Sequence, residues 1–106
     1  MAYISLERIV QHVAENYNYS TEDVISKKQE PVDLVEVRKI AVYLCWKLSN
    51  ESVKDIGNLF SRDHSTIIYY MRTISDKCQR DEDFRRQMQE NMDRIESLCK
   101  FKNKNE

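Results

Sequence analysis

Glycine and proline are nearly absent from this chain: Gly57 and Pro31 are the only ones in 106 residues. So few breakers leave little material for the tight turns of β-hairpins, and an all-α fold is expected. Cysteine is sparse as well. Cys45, Cys78 and Cys99 are odd in number and far apart, which signals neither a disulfide framework nor a CxxC metal site. All three fall on or beside apolar helical stripes, the setting of buried free thiols. No apolar run approaches ~18 residues and no signal-peptide pattern opens the chain, so a cytoplasmic protein is expected. Charge of one sign is lacking too. The formal net charge is −1, which excludes a generally basic surface. The glycine-rich phosphate loop and the HExxH metal motif are both missing, so neither catalysis, a cofactor nor a metal is expected.

What the chain does have is 33% charged and 41% hydrophobic residues, the balance of a folded helical protein. Its length supports one domain, expected over residues 1–101 as a compact bundle of about six helices, with 102–106 as a frayed tail. Residues 4–17 place Leu6, Ile9, Val10, Val13, Ala14 and Tyr17 on one face, with His12 opposite on the solvated side. Ser20 and Asp23 make a capping-box-like start for a short helix through Ser26. Pro31 stands where the next helix, about 32–49, is expected to start, a place where its missing N–H is harmless. Leu34, Val37, Ala41, Leu44, Cys45 and Leu48 mark that helix as the central one. Trp46 falls off the stripe. It is either a partner or DNA-backbone contact or, as the simpler expectation, packed against a neighbouring helix.

Ser52 and Asp55 open a further helix carrying Val53, Ile56, Leu59 and Phe60. Gly57 within it predicts close approach of another helix, since glycine there costs ~1 kcal/mol relative to alanine. The stretch FSRDHSTIIYYMRT follows. Asp63 is the expected N-cap, and Ile67, Met71, Ile74 and Cys78 recur at helical spacing. Short helix, tight turn and longer helix form a helix-turn-helix over about 52–79. A last helix begins near Asp81, with the stripe Phe84, Met88, Met92, Ile95, Leu98 and Cys99.

The polar start of the 63–80 helix does not form a nucleophile and base, because adjacent helical residues point about 100° apart. At the edge of a DNA base the same groups make chemical sense. Asp63 can accept from a cytosine amino group, His64 can donate or accept, and Ser65 and Thr66 can reach bases, phosphate or a thymine methyl. Charge supports local contact: residues 61–80 hold four basic and two acidic side chains, while 1–60 and 81–106 are each acidic on balance.

Residues 55–74, DIGNLFSRDHSTIIYYMRTI, closely resemble the signature of the C-terminal DNA-binding domain of DnaA, the bacterial replication initiator. VAENYNYSTEDVISKK and VRKIAVYLCWKLSNESVKDIG are similar to stretches upstream of that signature. The resemblance runs from about Ile4 to Ile74. It implies a trpR-like helix-turn-helix domain that binds a short asymmetric duplex box, in a bacterial, nucleoid-associated protein. It assigns Asp63, His64, Ser65 and Thr66 to the major groove, and Arg62, Arg38, Lys27 and Lys28 to the backbone. Lys54 and Arg72 join the backbone set by their position in the motif.

Three departures stand out. Gln29 or Glu30 occupies the place of the family's minor-groove arginine, Trp46 that of a lysine, and Ser61 alone that of two glycines. Together with Glu30, Asp33, Glu36, Trp46 and the Tyr69–Tyr70 pair, these keep open an alternative: a protein-interaction module that retains the fold without specific DNA binding. With no Walker motif, ATP hydrolysis of the P-loop kind is not expected.

Overall fold

Six helices succeed one another in the computed structural model, which describes residues 3–104, with side chains through residue 99. They are α1 (Leu6–Asn16), α2 (Thr21–Ile25), α3 (Val32–Leu48), α4 (Val53–Phe60), α5 (His64–Arg80) and α6 (Glu82–Lys104). No described helix is long and apolar enough to cross a membrane.

Side-chain caps set most helix starts. Ser5 Oγ accepts from Arg8 N at 3.3 Å, and Ser20 Oγ from Asp23 N at 3.1 Å. Ser52 and Asp55 complete a reciprocal capping box on α4. Asp81 ends α5 and also caps α6, its carboxylate accepting from Phe84 N at 3.1 Å. Pro31 is the extended N-cap of α3, and the helix starts at Val32 as expected.

α3 is the axis of the bundle and packs against each of the other helices. It therefore buries far more than one stripe: Ile40, Val42 and Tyr43 are enclosed along with Leu34, Val37, Ala41, Leu44 and Cys45. α1 lays Leu6, Ile9, Val10, Val13 and Ala14 on it, and α5 contributes Ile67, Met71 and Ile74. Fully burying one such aliphatic side chain is worth about 1.5–3 kcal/mol. His12 is half-buried instead of solvated. Cys45, Cys78 and Cys99 are buried free thiols, as expected.

α6 departs from its expected stripe. Phe84, Met88, Ile95 and Cys99 are buried, but Leu98 is 44% exposed and Asn91 is enclosed. The reason is the polar end of α1. Asn16 Nδ2 donates to Asn91 Oδ1 at 2.7 Å, and Asn91 Nδ2 donates to Tyr17 Oη at 3.0 Å, so both amide groups are satisfied at that seam. α6 continues through 102–104 of the expected tail; the last two residues lie outside those described.

Candidate nucleic-acid interface

The turn between α4 and α5 is built without glycine at its corner. Ser61 takes the left-handed conformation there (φ 53°, ψ 45°), with its N–H on Asn58 O and the Arg62 N–H on Gly57 O at 2.9 Å. Gly57 serves this turn. A Cβ at position 57 would stand 2.7 Å from the Arg62 carbonyl oxygen and 3.6 Å from Ile67 Cγ1, so the returning backbone is the tighter neighbour and the expected second helix, α5, lies next to it.

Asp63 caps α5, accepting from Thr66 N at 2.8 Å. That N–H holds the Asp63 carboxyl below its usual range, helped by the Thr66 hydroxyl and, further off, Lys27 and His64. Thr66 is half-buried and engaged with this cap. His64 and Ser65 are exposed, and neither side chain forms a hydrogen bond to another described residue. They sit on the first turn of a 17-residue helix whose opposite side is fixed in the core, so their direction is set by packing.

The loop after α2 lies beside this turn. Lys27 Nζ donates to Ser61 O at 2.6 Å, which brings an exposed cation next to Asp63. Lys28 pairs with Asp23 at 2.8 Å; both are solvated, and such a pair contributes little. Gln29 and Glu30 are exposed. Lys54 on the first turn of α4 and Arg72 two turns into α5 are also exposed.

Arg38, expected on a phosphate, is corrected by the structure. Arg38 is fully buried, donating from Nε to Val24 O at 2.7 Å and from Nη2 to Asp23 O at 3.1 Å, while its enclosed Nη1 has no partner. Arg62 is half-buried and donates to Ile25 O, Ser26 O and Phe60 O at 3.3, 3.0 and 2.8 Å. The carbonyls of a five-residue helix end need donors, and a cation suits that end of the dipole. Both arginines brace the loop. Burial, and then the nearby Arg62 charge, lower the Arg38 pKa.

Tyr69 was not among the expected DNA contacts, yet it is 59% exposed one turn behind Ser65 on the same strip of α5. The i, i+4 spacing from Ser65 was the available signal. Lys39 Nζ lies 5.4 Å from its ring centre and 5.8 Å from that of Tyr70. Trp46 is 45% exposed, not packed away. It borders Ile68 and Ser75, on the flank of α5 opposite Tyr70, so Trp46 and Tyr70 do not form one patch.

Residues 6–74 match the family described as the bacterial DnaA protein helix-turn-helix. The chromosomal replication initiator protein DnaA of Burkholderia multivorans is 40% identical over 79 residues, 74% of this chain and 15% of that protein. The DnaA of Burkholderia vietnamiensis is similar to the same extent. A solved structure described as a DNA replication initiation factor superposes with a TM-score of 0.76 at 32% identity, over 85% of this chain and 27% of its own. The chain thus spans about 15% of the length of the curated relatives it matches.

Proposed function

The chain belongs to the bacterial DnaA helix-turn-helix family, and from that membership we propose that it binds double-stranded DNA sequence-specifically, at sites like the family's short asymmetric box. The observation that carries this is the pairing of two exposed side chains, His64 and Ser65, with the capped N-terminus of a helix whose other face is locked in the core. Such an end presents base-edge chemistry and free N–H groups to a groove.

In this reading His64 and Ser65 contact bases. Asp63 contributes a carboxylate already fixed by its cap, and Thr66 supports it. Lys27, Lys28, Lys54 and Arg72 supply phosphate contacts, which position the helix without reading sequence. The sequence carries no GxxxxGK[ST] segment, so these residues act without nucleotide hydrolysis.

A protein-interaction module is the second reading, favoured by the exposed Trp46 and by a groove at the far end of α5 from His64, lined by Asp33, Glu36, Asp81, Asp83 and Phe84, with Lys77 paired to Glu36. Fluorescence anisotropy of a labelled duplex, titrated with salt, separates the two. DNA binding predicts a log–log slope of about −0.9 for each neutralised phosphate, hence a steep loss of affinity. A flat response, or no binding at low salt, rejects the DNA reading.

A further inference from the structure

Trp46 is the chain's one tryptophan, and nearly half of its surface is left in water. A single exposed aromatic is ordinary, but one that adjoins further apolar surface marks a contact site. With Ile68, Met71, Arg72 and Ser75 it lines a cavity of about 250 Å³ between α3 and α5. Lys47 Nζ stands 5.0 Å from the centre of the indole ring.

The position of this cavity on α5 bears on its occupant. Ile68, Arg72 and Ser75 follow His64 by four, eight and eleven residues, so they continue the same flank of the helix. Eight residues rise about 12 Å, more than the ≈8.5 Å depth of the major groove. If the His64 end faces the base edges, the Trp46 cavity reaches the wall of that groove. Its chemistry fits that wall: two cations, Lys47 and Arg72, flank an apolar floor, and no carboxylate lines it.

We propose that Trp46, with Arg72 and Lys47, forms a docking site for the sugar–phosphate backbone beside the major groove that α5 enters. The indole face lies against deoxyribose and its Nε1–H, a donor only, is directed at a phosphate oxygen. Arg72 and Lys47 neutralise the phosphates on either side. The contact is sequence-independent and holds α5 in register. This proposal rests on the DNA reading above.

Because Trp46 is the sole tryptophan, its emission reports on this surface directly. The full chain is titrated with a fluorescein-labelled duplex followed by anisotropy, and with the unlabelled duplex followed by Trp46 emission and acrylamide quenching. The expected result is saturable binding by anisotropy, with Trp46 emission changing and acrylamide access falling over the same concentration range. Trp46→Ala should weaken binding about threefold to tenfold for every duplex tested, the loss of one hydrogen-bonded contact, with sequence preference unchanged. Trp46→Lys should restore affinity and steepen the salt slope by about 0.9. Binding by anisotropy with Trp46 access unaltered and Trp46→Ala at wild-type affinity would overturn this site while leaving the DNA reading intact, and would leave a protein partner as its occupant. A shift in sequence preference on Trp46→Ala would also overturn a backbone contact. No duplex binding in either readout would overturn both.

Discussion

Arg38 and Arg62 hold the same helix end from two sides. Arg38 takes the carbonyls of Asp23 and Val24, Arg62 those of Ile25 and Ser26, so the last turn of α2 and the residue after it are capped by two guanidinium groups. A helix of five residues has no stability of its own, and tertiary donors must supply it. Arg62 also reaches Phe60 O, the end of α4. The loop bearing Lys27 is thereby tied to the turn that aims α5.

Removing either arginine should therefore weaken the fold more than a surface charge would. Arg38→Ala is expected to cost about 2–4 kcal/mol in urea unfolding, because charge-assisted hydrogen bonds are lost and buried carbonyls left unpaired. Arg62→Met should lower duplex affinity while leaving the salt slope at its wild-type value. A slope reduced by about 0.9 would instead make Arg62 a phosphate contact.

The α4–α5 turn makes a pair of opposite predictions. Gly57→Ala forces a Cβ to within 2.7 Å of the Arg62 carbonyl, and should destabilise by about 1–2 kcal/mol after the gain in helix propensity. Ser61→Gly relieves a left-handed non-glycine residue and should stabilise by about 0.5–1 kcal/mol. Thermal unfolding of both variants checks the signs.

Asp63 gives a pH dependence of definite sign. Its folded pKa is depressed, so its contribution is present above the unfolded carboxylate value and is lost as pH falls through the folded one. Asp23 and Asp55, beside Lys28 and in the Ser52 capping box, shift the same way. Stability should fall below about pH 4. Asp63→Asn, which keeps a capping oxygen but does not titrate, should flatten that part of the curve in melts taken from pH 3 to pH 7.

The three thiols should be inert in the folded protein. Burial raises the Cys45 and Cys78 pKa values, so little thiolate forms near neutral pH. Reaction with Ellman's reagent is expected to be slow until denaturant is added. Prompt reaction of one thiol in buffer would place it at the surface.

The helix order was legible because Ser20, Ser52 and Asp63 carry their cap chemistry in local sequence, and the core of α5 because Ile67, Met71, Ile74 and Cys78 repeat at helical spacing. Asn91 and Leu98 were not. Their exchange of burial depends on what α1 presents at Asn16 and Tyr17, a long-range fact that no local pattern encodes. Arg38 failed for a related reason. Sequence shows a cation, but whether it faces phosphate or the end of another helix depends on where α2 stops. Ser61 likewise showed only a missing glycine, while the left-handed backbone it accepts became visible in the fold.

Base recognition by the start of α5 is tested most directly by selecting bound sites from a random duplex pool with the wild-type chain and with the His64→Ala, Ser65→Ala double variant, each checked for folding by circular dichroism. The wild type is expected to enrich a short asymmetric site, and the double variant to lose this enrichment while keeping salt-dependent binding. Equal enrichment of the same site by both proteins would contradict the assignment of base recognition to the start of α5.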